Sequence, residues 1–251
     1  MMEVKPTQTV PTLEVCCGSM ADALAAVEGG AHRIELCAAL SLDGLTPSMG
    51  TLHELRRRFP LRTDGTTDLR IHVLIRPREG NFVYTDAELC VMEHDIAEAV
   101  REGASAIVCG ALTFDGDIDL PAMRRLMVAS GEVPVTFHRA FDHVRHPLQA
   151  LEQLIGLGVR RVLTSGGEAS AEAGIERLCQ WVEQADGRIT VMPGGGITRH
   201  NVRHILEETG ASEVHGSCSA LLPNGQRQTS ATEVHAVLQE ISRRFGRREP
   251  S

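Results

Sequence analysis

Short runs of β-prone, mostly apolar residues recur eight times along this 251-residue chain, at 13–17, 33–37, 70–75, 106–110, 133–138, 160–164, 189–192 and 213–215. Runs of this length read as strands, and strands alternating with helical segments predict parallel βαβ units. The intervening segments supply the helices. Over 85–100, Leu89, Met92, Ile96 and Val100 fall on one helical stripe, and Thr85-Asp86-Ala87-Glu88 opens it as a capping box. The last helix, 232–245, carries Val234, Val237, Leu238, Ile241 and Phe245 on one stripe. Glycines at 29–30, 103, 156, 158 and 210 stop helices ahead of the next strand, because glycine takes the left-handed backbone that ends a helix. Eight β/α units averaging about 28 residues fit a single-domain (β/α)8 TIM barrel of the α/β class, which needs about 250. A doubly wound open sheet is the alternative, but no G-x-G-x-x-G follows the first strand to support a dinucleotide site.

The barrel domain is expected to span 13–246, with an N-terminal extension at 1–12 and a tail at 247–251. Two stretches fall outside the repeat. Residues 62–68 form a polar loop before the third strand, and 221–230 follow the eighth strand and would lie over the C-terminal mouth. Aromatic residues make up only 3% of the chain, so the core must rest on Val, Ile, Leu and Ala. The net charge is −8 with no basic run that would track a phosphate backbone, which argues against a nucleic-acid partner. No segment stays apolar for about 18 residues and the start lacks a signal pattern, so a cytoplasmic protein without a membrane partner is expected. Seven cysteines, an odd number, then read as reduced thiols.

The chemistry is carried by a doubled motif. Leu13-Glu14-Val15-Cys16 and Ile34-Glu35-Leu36-Cys37 each read apolar, Glu, apolar, Cys. Side chains alternate faces along a strand, so both carboxylates and both thiols point to one side. Adjacent parallel strands lie about 4.8 Å apart, and two thiols at comparable height could share a soft metal ion, Cu(I) or Zn. Buried cysteines are otherwise small hydrophobes, as Cys90, Cys109 and Cys179 look to be from their helical or aliphatic settings.

In such a barrel, functional groups sit at the outgoing strand ends, here Cys16, Cys17, Cys37, Arg76, Arg78, His138, Arg139, Asp142, Thr164, Ser165, His215 and Ser217. Around the fifth strand, His138 could shuttle protons and Arg139 could clamp an anion, with Asp142 close by; the structural reading is an Arg–Asp pair bracing the loop. Arg76 adds a cation after the third strand. Glycine-bearing loops at Ser165-Gly166 and Gly194-Gly195-Gly196 could present backbone N–H groups to an anion, or could serve tight turns only. Glu14 and His72, earlier in their strands, would form a polar layer inside the barrel. An enzyme acting on a small anionic or phosphorylated metabolite is therefore the rival to metal binding, with Glu14, Glu35, His72, His138 and Asp142 as its acid/base candidates and Arg76, Arg139, Ser165, Gly166, Gly194, Gly195 and Gly196 as its anion-binding residues.

The ordered set Leu13 to Cys17, Arg33-Ile34-Glu35-Leu36-Cys37, Leu45-Thr46-Pro47-Ser48-Met49-Gly50, Ile75-Arg76-Pro77-Arg78, Phe137 to Asp142, Val162 to Gly166, Met192 to Ile197 and Glu213-Val214-His215 resembles the CutC family of copper homeostasis proteins, over roughly residues 13–218. The resemblance implies a cytoplasmic TIM barrel, a homo-oligomer (dimer or tetramer), that handles copper by binding Cu(I) through cysteines. By position the copper ligands fall on Cys16 and Cys37. Some relatives carry Cys directly after the strand-eight His; this chain has Gly216 there and its Cys two residues on, at Cys218.

Overall fold

The structure, a computed structural model, describes residues 10–245 except 63, 65, 66, 68 and 224. Eight parallel strands form one sheet: β1 (Thr12–Cys17), β2 (Arg33–Leu36), β3 (Arg70–Leu74), β4 (Ala106–Cys109), β5 (Val135–Phe137), β6 (Arg161–Thr164), β7 (Thr190–Pro193) and β8 (Glu213–Gly216). They lie in sequence order from β1 to β7, with β8 beside β1. A single parallel bridge, Gly194 to His215, links the β7 and β8 edges, so the sheet rolls nearly shut instead of staying open. A Cβ on Gly194 would fall 2.4 Å from Leu163 Cδ1, so a larger residue at that seam would force the Leu163 side chain to move.

Among the described residues, eight α-helices cover the outside: α1 (Met20–Glu28), α2 (Met49–Arg58), α3 (Asp86–Arg101), α4 (Leu120–Ser130), α5 (Pro147–Leu157), α6 (Ile175–Ala185), α7 (Val202–Thr209) and α8 (Ala231–Phe245). The capping box expected at Thr85 is present: Thr85 N donates to Glu88 Oε2 at 2.7 Å and Glu88 N donates to Thr85 Oγ1 at 3.3 Å. Among the described residues no helix is long and apolar enough to cross a membrane.

Alternation along the strands divides the buried residues into two sets. Leu13, Val15, Cys17, Ile34, Leu36, Ile71, Val73, Ile107, Val135, Phe137, Val162, Val191 and Val214 join the helices in the main core. The few aromatic side chains there chain edge to face, Phe137 to Phe141 at 6.4 Å and Phe141 to Trp181 at 5.2 Å. The other face lines the barrel interior, and branched aliphatics normally fill it. Here it is mixed, with Glu14, Arg33, Glu35, His72, Thr136, His138 and His215 buried beside Leu74, Val108 and Leu163.

The structure departs from the sequence reading in places. The second and fifth strands are shorter than their runs, because the chain turns away after Cys37 and His138, although their backbone N–H groups still donate to Cys17 and Cys109 at 3.0 and 3.2 Å. The segment 221–230 is not a plain loop. It belongs to an antiparallel hairpin of β9 (Ser219–Leu221) and β10 (Arg227–Thr229), tied to the start of α1 where Thr229 N donates to Asp22 Oδ1 at 2.9 Å. The expected extension and tail fall largely on 1–9 and 246–251, and much of the 62–68 loop on 63, 65, 66 and 68, all outside the described residues.

Candidate functional site

Glu14 stands at the centre of the barrel, fully buried. Burial alone would push its carboxyl up. His72 Nδ1 at 2.7 Å, His215 Nδ1 at 2.8 Å and Arg33 Nε at 2.9 Å outweigh that cost and hold it well below the ordinary carboxylate value. Strand register produces this convergence, since Glu14 is level with His215 on β8 and Glu35 is level with His72 on β3. Toward the incoming end, Arg33 and Arg161 both reach Glu213, at 2.6 and 2.7 Å. Every charge in this layer has a partner of opposite sign, as burial demands.

His72 and His215 share that carboxylate but differ in charge. Burial lowers His72 more than Glu14 raises it, so it stands beside Glu14 as a neutral ring. Burial also opposes the charge on His215, yet Glu35, Cys16 and Glu14 together raise it well above the usual imidazole value. It is an imidazolium at neutral pH. Burial dominates for Glu35, which is raised despite the pull of His215.

Above the carboxylates lie the thiols. Cys16 Sγ and Cys37 Sγ are 3.7 Å apart, both buried, in a small cluster with Leu74 and Val108. The hydrogen bond with Cys37, then burial and the nearby Glu35, push the Cys16 thiol well up. Cys17 faces the helices instead, and Cys218, pushed up to about 12 by burial, packs in that same outer core and joins neither thiol. Cys109 is likewise in the outer core, while Cys90 and Cys179 are half-buried on α3 and α6. The sequence reading gave His215 no role, though its place at the outgoing end of a strand that closes on β1 is the signal that finds it.

Across the mouth, a cavity of about 230 Å³ is lined by Cys16, Glu35, His215, Arg76, Phe82, His138 and Arg139, among others. His138 Nδ1 accepts from Ala140 N at 3.2 Å, which leaves the proton on Nε2. Burial, then Arg76, lowers the ring to about 3, so it is a neutral donor throughout the physiological range. Neither its Nε2 nor Arg76 Nε has a hydrogen-bond partner among the described residues. The rest of the Arg76 guanidinium is committed to Leu42 O, Gly44 O and Gly80 O at 2.8, 3.0 and 3.1 Å, and it lies 5.0 Å over the Phe82 ring.

The glycine loop after β6 already holds an anion of its own. Asp142 Oδ1 accepts from Ser165 N at 2.9 Å, Gly167 N at 3.1 Å and Thr164 Oγ1 at 2.5 Å, while Arg139 Nε donates to Oδ2 at 2.8 Å. Gly166 N turns instead to Thr164 Oγ1 at 3.0 Å. Asp142, Ser165 and Gly166 thus brace the loop that aims Arg139. Gly195 and Gly196 line a neighbouring cavity of about 480 Å³ with Arg139, Thr198 and Ser217, and Gly194 sits at the barrel seam.

Comparison with known proteins agrees with this architecture. The CutC family profile matches residues 11–220. A CutC family protein of Xanthomonas axonopodis pv. citri is 48% identical over 210 residues, 84% of each chain. The copper homeostasis protein cutC homolog of Homo sapiens is 47% identical over 215 residues, covering 86% of this chain and 76% of that one. The solved CutC structure from Streptococcus agalactiae is 36% identical with a TM-score of 0.76, covering 82% of this chain and 98% of its own. An aldolase at 13% identity and a TM-score of 0.63, covering 97% and 98% of the two chains, shares the barrel alone.

Proposed function

This chain belongs to the CutC family of copper homeostasis proteins, and from that premise we propose that it holds Cu(I) between the thiolates of Cys16 and Cys37 at the mouth of the barrel. The observation that carries this reading is the 3.7 Å separation of the two sulfurs. Thiolates bind a soft or borderline ion at about 2.3 Å, so two that share one can stand up to about 4.6 Å apart. The pair needs no backbone movement to take the ion. Soft thiolates favour Cu(I) over the hard cations, and Leu74 and Val108 pack beside the pair. Two thiolates and one Cu(I) leave a net negative charge, which the imidazolium of His215 beside Cys16 offsets. We place this role in the cytoplasm, where thiols stay reduced, and in the homo-oligomer that the family resemblance implies.

Anaerobic titration with Cu(I) against a competing chelator tests the proposal. Cys16→Ser and Cys37→Ser are each expected to weaken binding by at least about tenfold, since each removes one of two thiolate ligands. Unchanged affinity in the double variant would refute it.

A second reading, an enzyme for a small anionic metabolite, is favoured by one observation: the unpaired N–H donors of His138 Nε2 and Arg76 Nε belong to residues lining the same small cavity. Buried donors without partners are rare enough to suggest a ligand. Calorimetric titration with pyruvate and with inorganic phosphate addresses it. Binding heat that disappears in His138→Phe protein supports this reading, whereas no heat from either anion removes it.

A further inference from the structure

Copper held by two thiols makes no ligand of the neighbouring carboxylates and imidazole. Cys16 Sγ, a Glu35 carboxylate oxygen and a His215 ring nitrogen lie within 4.8 Å of one another, and all three side chains are buried. Register assembles them: Cys16 is level with Glu35 on the neighbouring strand, while Glu14, two residues before Cys16, is level with His215. His215 Nδ1 is bound to Glu14 Oε1 at 2.8 Å, which turns Nε2 toward Glu35 Oε2 at 3.7 Å. Metal-ligating histidines adopt this arrangement once the ion displaces the proton on the facing nitrogen, here Nε2, while the other N–H stays with the carboxylate. Glu14 cannot swing in as a ligand itself, because Arg33 and His72 clamp its other oxygen.

We propose that Cys16, Glu35 and His215 form a site for a borderline divalent cation of the Zn²⁺ type, with Glu14 as the residue that positions His215. The donor set is the argument for the ion. A thiolate, an imidazole and a carboxylate suit Zn²⁺, and the two anionic ligands neutralise a divalent charge in a buried site where a monovalent ion would leave one negative charge over. Tetrahedral ligands at about 2.0–2.3 Å from the ion stand roughly 3.3–3.7 Å apart, so side-chain rotation alone closes the present separations. Three protein ligands leave a fourth position. The same three residues line the 230 Å³ cavity with His138 and Arg139, so that position would take water or an oxygen of a small ligand there. Catalytic zinc sites share this pattern of three protein ligands and one open place. The site goes beyond the copper reading, which takes Cys37 as a ligand and makes a ligand of neither Glu35 nor His215.

Titration of the metal-free 251-residue chain with Co²⁺, followed by absorbance and then by Zn²⁺ displacement, tests the site. The expected result is one Co²⁺ bound with a sulfur-to-cobalt charge-transfer band and four-coordinate ligand-field bands, both abolished by Zn²⁺. Glu35→Gln and His215→Gln should each weaken Co²⁺ by about tenfold or more, and Glu14→Gln by about 10–100-fold, the usual cost of losing an outer-shell partner. Cys37→Ser should still bind one Co²⁺ with the charge-transfer band while weakening Cu(I), which separates this site from the copper pair. Glu35→Gln is nearly isosteric, so the test survives if the His215 variant does not fold. Absence of Co²⁺ binding, of the charge-transfer band, or of any effect of Glu35→Gln overturns the proposal, as does loss of Co²⁺ in Cys37→Ser.

Discussion

Replacing Glu14 by Gln is expected to lower the unfolding free energy by about 3–5 kcal/mol, the range for removing one partner of a fully buried ion cluster. Glu14 has no exposed surface and meets Arg33, His72 and His215 at 2.9, 2.7 and 2.8 Å. The amide keeps the shape but not the charge, and its NH₂ end confronts donors where an acceptor stood. Arg33 keeps Glu213, at 2.6 Å, whereas the imidazolium of His215 loses its closest anion. Urea unfolding near neutral pH measures the effect. A loss under about 1 kcal/mol would mean that the interior relaxes or hydrates around the missing charge.

The same variant has a pH signature. The carboxyl of Glu14 is held below its ordinary value in the folded chain, so its contribution is fully present above the unfolded value of about 4.3 and is lost as pH falls through the folded one. The gap between wild type and Glu14→Gln should therefore be widest near neutrality and close in acid.

Cu(I) affinity is expected to rise by at least about 100-fold between pH 6 and pH 8, because each proton displaced on binding contributes about tenfold per pH unit. Cys16 supplies one such proton. Its thiol is pushed well above the ordinary cysteine value by the bond to Cys37, by burial and by Glu35, so the free protein carries the proton across this whole window. Binding requires the thiolate and releases the proton, and higher pH favours release. Chelator competition at several pH values, corrected for protonation of the chelator, gives the slope. In Cys16→Ser protein the slope should fall by this one proton, and a flat wild-type profile would show that Cys16 is not deprotonated by the metal.

The fold was legible because it rests on local periodicity. Eight apolar runs, helical stripes such as Leu89, Met92 and Ile96, and a capping box at Thr85 each read out over a few residues, and each is present in the structure. Two-residue alternation likewise placed Glu14 and Cys16 on one face and Val15 and Cys17 on the other. What failed was reach. The 221–230 segment carries too few residues for a periodic signal, and its strand β10 exists because it pairs with β9 and is held by Asp22, far away in the chain. Asp142 offered a catalytic carboxylate in the sequence, yet its oxygens accept from Thr164, Ser165 and Gly167 on the next β/α loop, a contact that only the closed barrel creates.

The sequence by itself determined the secondary structure, the eightfold repeat and the sidedness of the doubled Glu-x-Cys motif, since alternation between faces is a property of the strand alone. The tertiary structure decided what that motif meets. Strand stagger sets Cys16 level with Glu35, so the two thiols approach diagonally at 3.7 Å, and closure of β8 on β1 brings His215 to Glu14 across 201 residues. Register around a barrel is fixed by the packing of every strand at once, and no single segment encodes it.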